Sequence, residues 1–509
     1  MTTLPILSLI MLAPMIGAII ILLMPRDKYE AIRTVALIAS GISLALSLYV
    51  TFAYNRAQGG FQFEEQMPWI PDMGIGYHVA VDGFSAPQLL LTGIVMFGAV
   101  LISWTKDDRP REYFAFLLLL VGGVFGAFMS LDVFLFLIFY EMVLFPVYVL
   151  VAGWGSGRKE YASMKLTIYL FVGSLVAIIG LLAIYFASGQ SFDFYKIQSG
   201  IAALPAAERI ATTRLWFLPV FVGFGVLASL WPLHNWSPDG YASAPTAVSM
   251  LHGGVLKATG AYAALRFGVQ LMPEAAKYWL PVVVFLCLMN VIYAGVIAFR
   301  QNDLKYIVGF ASVSHLGLVL LGIASMNELG LNGAGLELFA GGVMTGLMFG
   351  LVGIVYERSH ERSINVLNGM ARVMPLAAVA WIIGALAAMG MPGLSGFPAE
   401  IQILSGLWQA ASTPNLMFGG TSWWYAWMAI GAILTVIITA AWTLRVGYKV
   451  YFTEPTTPEF QKLPGLNMKE RIAIVMFCAV LIVVGLFPNS IMSVIQTGVQ
   501  AIMKAINAG

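Results

Sequence analysis

The fold class this sequence predicts is an all-α polytopic membrane protein with about fourteen transmembrane helices. Three observations predict it. The 509 residues are 60% hydrophobic and only 10% charged, whereas soluble chains carry about 25% charged residues. The apolar residues come in runs of roughly 20, the length that crosses a bilayer as a helix. No polar linker divides the chain, so residues 1–509 read as one membrane domain. The net charge of +2 carries no nucleic-acid signal, and Cys287 and Cys478 lie in apolar runs without disulfide or metal spacing.

In chain order the runs fall near 4–24, 31–53, 85–104, 113–129, 131–152, 163–187, 213–231, 244–269, 278–299, 304–324, 334–356, 374–410 (interrupted), 424–447 and 472–497. Helices follow because lipid offers no water to open backbone groups. A barrel would need short alternating strands, and none is read here. The first run has no basic region before it, so it reads as a retained span and not as a cleaved signal. Odd-numbered loops hold 18 of the 27 Lys and Arg, and the opposite side holds 6. Lys165, Lys257 and Arg266 lie at or near membrane depth. The excess of basic residues predicts that the odd loops are cytoplasmic and that both termini lie on the outer side.

Two spans are predicted to be broken. "WPLHNWSPDG" (231–240) in the seventh span and "MPGLSGFPAE" (391–400) in the twelfth each set Pro and Gly between apolar runs, with an acid near the end. Pro232, His234 and Asp239 belong to the first stretch and Pro392 to the second. The breaks are five spans apart, and an odd offset reverses topology. Interrupted helices at matching places are the trace of an inverted repeat. Spans four to eight, about 113–269, and spans nine to thirteen, about 278–447, are therefore expected to be inverted five-helix repeats. The plainer alternative is that Pro and Gly simply end helices at loops.

Charges inside apolar helices are the candidate functional residues. A charge at mid-bilayer costs about 2.5–3.5 kcal/mol on insertion scales. Glu141, Lys257, His315 and Glu400 lie within or at the edge of apolar spans, and His252 sits five residues before Lys257. On an ideal helix that spacing puts the two roughly 140° apart. Any one of these residues could be a buried structural partner. Spread over four spans, they suggest titratable groups strung through the membrane, as proton relays require. Five His with no HxH or HxxH pair argue against a metal or haem site.

"YHVAVDGFSAPQLLLT" (77–92), "FYEMVLFPVYVL" (139–150), "WPLHNWSPDGYASAPTAVSMLHGGVLKATGAYAALRFG" (231–268), "RQNDLKYIVGFASVSHLGLVLLGI" (300–323) and "GMPGLSGFPAEIQIL" (390–404) resemble the M-type, antiporter-like subunits of bacterial complex I, the proton-pumping NADH:quinone oxidoreductase. The resemblance implies a channel-tuning role for Glu141, an axial role for Lys257, the place of the family's tenth-span histidine for His315, and a terminal role facing a neighbouring subunit for Glu400. Lys305, in "RQNDLK", is a supporting residue. It also implies a subunit of an enzyme with no redox chemistry of its own, since NADH, FMN, Fe–S clusters and quinone belong to other subunits. The implied partners are the L-type and N-type paralogues and the lipid bilayer, with no nucleic acid. The implied location is the bacterial cytoplasmic (inner) membrane.

The departures from the resemblance are specific. Leu227 stands where the family carries a lysine in the seventh span, the usual partner of the fifth-span glutamate. Lys257 comes one residue early, and Gly341 aligns with the family's histidine in the eleventh span. Glu141 thus lacks its expected cation, with Lys257 or His252 left to take over. Three functions remain open: a working proton-translocating subunit, a transport-silent structural subunit of the membrane arm, and a subunit of a multisubunit Na⁺/H⁺ antiporter.

Overall fold

The computed structural model describes residues 5–508. Leu4, expected to open the first span, lies outside the described residues. Two long helices, α1 (Ile6–Leu23) and α2 (Tyr29–Ala53), lead into an antiparallel hairpin of β1 (Gln62–Ile70) and β2 (Ile75–Val81). Helices α3 (Ala86–Ile102), α4 (Pro110–Met129), α5 (Val133–Trp154) and α6 (Lys159–Ala187) follow. A short surface helix α7 (Phe194–Ala203) precedes α8 (Ala206–Leu227). Next come α9 (Trp236–Ser243) and α10 (Thr246–Leu251), a π turn over His252–Leu256, α11 (Lys257–Ala263), and a second π turn over Ala264–Val269. The second half comprises α12 (Pro273–Arg300), α13 (Leu304–Ala324), α14 (Glu328–Ser359), α15 (Met370–Val373), α16 (Pro375–Ala388) and α17 (Gly396–Ala410). It ends with α18 (Trp424–Val446), α19 (Pro458–Gln461), α20 (Met468–Leu486) and α21 (Asn489–Ala508).

Among the described residues eleven helices are long and apolar enough to cross a membrane, and the bent pair α20 and α21 makes twelve. The interrupted legs 246–269 and 375–410 lie where the sequence expects two further spans. The chain is a multi-span membrane protein. Helices α3, α13 and α14 are buried on nearly every side, whereas α1, α2, α6 and α12 turn apolar faces outward. A helix apolar all round belongs in the core of such a bundle.

Two sequence expectations need correction. Strands are present: β1 and β2 form a hairpin before α3, with Glu65 opposite Val79 and Met67 opposite Tyr77. Loop backbone outside lipid has water to satisfy it, so a two-stranded piece costs nothing there. Glu65 Oε1 accepts the N–H of Leu7 at 2.8 Å, so β1 caps the start of α1. The last span also ends earlier than predicted. After Leu486 the chain turns by 70° into α21, because Pro488 has no N–H to continue the helix.

Two loop junctions match each other. Asp132 caps α5 by accepting from Leu135 N, while Val133 N donates to Phe192 O and Phe194 N donates to Leu131 O. Asp303 caps α13 by accepting from Lys305 N, while Leu304 N donates to Arg362 O and Ile364 N donates to Asn302 O. Each span-starting aspartate thus bridges to the chain just beyond the following span, Asp132 to Asp193 and Asp303 to Ser363. The two junctions stand five spans apart, the same offset as the two helix breaks.

Candidate functional site in the membrane interior

The first break lies where the sequence places it. Helix α8 ends at Leu227, the chain unwinds through 228–235, and α9 resumes at Trp236. Pro232 removes a donor, and the other freed groups are satisfied from outside. Asn290 of α12 accepts from Trp231 N and donates to Ser229 O at 2.8 Å, and the Trp236 indole donates to Val226 O at 2.9 Å. Asn290 escaped the sequence reading, although a lone amide in "CLMNVIY" was a visible signal. Asp239 holds Lys165 of α6 at 2.7 Å and accepts from the Tyr306 hydroxyl at 2.9 Å. Lys305 Nζ donates to the carbonyl of Ala244 at 2.6 Å, where α9 stops short of Pro245. His234 is buried against the Tyr293 ring, with neither ring nitrogen bonded.

The second break spans 389–395, between α16 and α17. Pro392 faces outward, and Ser395 N donates to Leu481 O of α20 at 3.1 Å. Glu400 is buried, with its carboxylate laid against Gly390. Gly390 has φ +62°, and a Cβ there would meet Glu400 Oε2 at 2.3 Å. Glycine is required on both counts.

Between the breaks, α11, α13 and α14 bring buried polar groups together. Lys257 Nζ donates to Ser312 O at 2.6 Å and also contacts the Ser312 hydroxyl. One turn along α13, His315 Nδ1 lies 3.1 Å from Glu337 Oε1 of α14. Lys257, His315, Glu337, Gly341 and Thr345 line a small cavity of about 10 Å³, roughly the room one water requires. Two polar atoms of this cluster, His315 Nε2 and Glu337 Oε2, are buried without a partner. Glu337 lies within electrostatic reach of both Lys257 and Glu400. It was missed in the sequence, although an acid inside the apolar run of the eleventh span is the same signal that marked Glu141.

The π turn revises one sequence estimate. On an ideal helix His252 and Lys257 would stand roughly 140° apart. Instead Lys257 N–H reaches back to His252 O across the π turn, and the extra residue in that turn resets which side chains face α13. His252 is packed between the rings of Trp236 and Tyr241, each centroid 5.2 Å away, and both its nitrogens lack partners.

Glu141 stands apart from this cluster. It is half-buried in α5, beside Ser174 of α6, with Oε1 unbonded. Its neighbour Tyr140 packs on Phe136 and Phe224. Leu227 is buried at the end of α8, and among the described residues no cation forms an ion pair with Glu141.

The family described as NADH:quinone oxidoreductase/Mrp antiporter, TM, matches residues 130–423. This chain belongs to that family. The match encloses both breaks and every buried titratable residue described above. Among curated relatives, NAD(P)H-quinone oxidoreductase chain 4 1 of Synechococcus elongatus is 35% identical over 448 residues, covering 88% of this chain and 82% of the relative. Chain 4 2 of Thermosynechococcus vestitus is 32% identical over 487 residues, covering 95% and 89%. Among solved structures, a chain of respiratory complex I from Thermus thermophilus superposes with a TM-score of 0.87 at 27% identity, covering 98% of this chain and 99% of that one. A chain of the Mrp complex from Dietzia sp. superposes at 0.86 with 21% identity, covering 99% and 100%, and is similar in fold.

Proposed function

We propose that this chain is a proton-translocating membrane-arm subunit of a complex I-like NAD(P)H:quinone oxidoreductase, linking a redox-driven change elsewhere in the complex to proton transfer through its own interior. The carrying observation is the buried cluster of Lys257, His315 and Glu337 with Glu400 beyond it, set among helices whose breaks lie on either side. Ionisable groups held at that depth are costly unless they serve as a path or a paired structure. Here two polar atoms stay unpaired beside a water-sized cavity, which favours a path. The similarity to quinone oxidoreductase chains supports the enzyme.

In this reading a proton passes along groups that each gain and lose one. Lys257 is oriented by Ser312, and Glu337 by His315. Glu400 ends the row where α16 and α17 part. Asp239, Lys165, Lys305 and His234 hold the first break open in a defined shape, and Pro232 and Pro392 keep the helices from closing over the breaks. The matching Asp132 and Asp303 junctions support two inverted repeats, spans four to eight and nine to thirteen, within one domain of 1–509. The chain is a subunit of a multisubunit membrane complex. L-type and N-type paralogues are its proposed neighbours, in a bacterial inner membrane with both termini outside. NADH, FMN, Fe–S clusters and quinone are assigned to other subunits.

Buried Leu227 and the unpaired Glu141 favour a second reading, a structural subunit silent in transport. The likeness to the Mrp chain extends to fold alone and leaves the antiporter reading behind both. Glu400→Gln and Lys257→Met separate the first two. A translocating subunit loses protons pumped per electron in assembled complexes with either variant, whereas unchanged stoichiometry in both sinks the proposal.

A further inference from the structure

Glu337 has no role in the reading that the sequence supports, yet it occupies the centre of the buried cluster. It is 2% exposed, deep in the 32-residue helix α14. His315 holds one of its oxygens at 3.1 Å, and the other is buried and unbonded. Lys257 approaches the same cavity from α11, and α17 packs on α14 one turn before Glu337, where a Cβ at Gly333 would meet the carbonyl of Ala399, the neighbour of Glu400, at 2.7 Å. A carboxylate so placed contacts His315 of α13, shares a cavity with Lys257 of α11, and sits on the helix against which α17, the helix of Glu400, is packed.

Gly341 explains how the acid fits. It lies one turn after Glu337 on the same helix face. A Cβ built at Gly341 would meet Glu337 Oε1 at 2.9 Å, Cδ at 3.5 Å and Cγ at 4.0 Å, and no other residue's atoms that near. The Glu337 side chain therefore fills the space a side chain at 341 would take. Position 341 is also where the resemblance called for a histidine. The titratable group is kept in the cavity but arrives from one turn earlier.

We propose that Glu337 is the relay carboxylate between Lys257 and Glu400, standing in for a titratable side chain at position 341. The inference rests on the proton-translocating reading and names a residue which that reading did not assign. The step balances simply. A proton leaves the Lys257 ammonium, crosses one water in the cavity and arrives on Glu337 Oε2. The lysine is left neutral and the carboxyl becomes neutral. His315 holds Oε1 through its Nδ1–H, so that Oε2 presents itself to the cavity. The proton then passes toward Glu400, which returns Glu337 to its ionised form.

The test uses the whole complex in its own sealed membranes, with assembly, proton-coupled quinone reduction and protons pumped per electron as readouts. Glu337→Gln keeps size and hydrogen bonding while removing the proton site. It is expected to assemble and to slow proton-coupled turnover on the order of 100-fold, the low end for losing a positioned proton-transfer group. Glu337→Asp should keep most of the coupling. Glu337→Ala should lose it, and adding Gly341→His to that variant should restore part of it, because the removed side chain is what blocks a Cβ at 341. The infrared difference spectrum of turnover should lose a protonated-carboxyl C=O band in Glu337→Gln, which a merely structural residue would not cause. Wild-type coupling in assembled Glu337→Gln, with Glu400→Gln impaired, overturns the relay and leaves the translocating reading standing. Wild-type coupling in Glu337→Gln, Glu400→Gln and Lys257→Met alike overturns that reading, and the relay with it. If Glu337→Gln fails to assemble, Glu337→Ala/Gly341→His decides: no recovery of coupling in its assembled form overturns the proposal.

Discussion

Leu227 is the residue that tests whether Glu141 takes part in the proposed path. It is buried at the last turn of α8, where the chain leads into the first break, and it is an alkyl group at the position where the resemblance calls for a lysine. Leu227→Lys would bury a new charge at a cost of about 2.5–3.5 kcal/mol unless water or Glu141 meets it. Reduced assembly is the expected outcome, together with disturbed coupled turnover in the complexes that do form, because the new amine adds a competing proton site. Native gels and proton-to-electron ratios read the two effects separately. Full turnover at wild-type assembly would mean that this end of the path is closed. Lys257 and Glu337 carry the opposite lesson. Lys257 comes one residue early against the resemblance and Glu337 has no counterpart in it, yet both line one cavity.

At the scale of elements, the β1–β2 hairpin is fastened by His78. Its Nδ1 meets Asp193 Oδ2 at 2.6 Å and its Nε2 meets Glu64 Oε1 at 2.7 Å, while Asp132 accepts from Gly76 N at 3.0 Å. The hairpin is thereby tied to the starts of α5 and α7. Burial opposes charge on the imidazole, but the bonds to Asp193 and Glu64 outweigh it and raise the His78 pKa above its usual 6.5. Burial likewise works to raise Asp193, and its bonds to His78 and to Lys196 N–H win, holding it below its usual 3.8. The signs differ. The His78 contribution is fully present below pH 6.5 and is lost as pH rises through the raised value. The Asp193 contribution is present above 3.8 and is lost as pH falls through the lowered one. Protection of residues 62–81, measured as hydrogen exchange relative to the intrinsic rate at each pH, should therefore be greatest in mildly acidic to neutral solution and fall on the alkaline side. His78→Gln should abolish that alkaline change and loosen the hairpin by about 1.5–3 kcal/mol, the worth of a hydrogen bond to a charged group. An identical alkaline profile in the variant would remove His78 as the clasp.

For the whole molecule, the 18-to-6 division of basic residues predicts that both termini lie outside. The native Cys287 and Cys478 are buried, so an added cysteine would report alone. In intact cells Ser199→Cys, exposed on α7, should react with an impermeant thiol reagent, and His360→Cys, exposed after α14, should react only once the membrane is opened. The reverse pattern would invert the molecule. The matching Asp132 and Asp303 junctions fall on opposite sides in this topology, as an inverted repeat requires.

The membrane class, the span positions, both breaks and four of the five titratable residues of the central helices followed from the sequence alone. Each is a local property: a run of apolar residues, a Pro among Gly, an acid or base in oil. The tertiary structure decided which of them meet. It joined His315 to Glu337 and Lys257 to Ser312, left Glu141 without a cation, paired Asp239 with Lys165, and turned α21 away from α20. Helices apolar on all sides carry no periodic face to show what they will touch. A π turn then shifts the register of whatever face there is. Contacts between spans hundreds of residues apart are therefore fixed by how the bundle closes, and only the closed bundle reveals Glu337 at its centre.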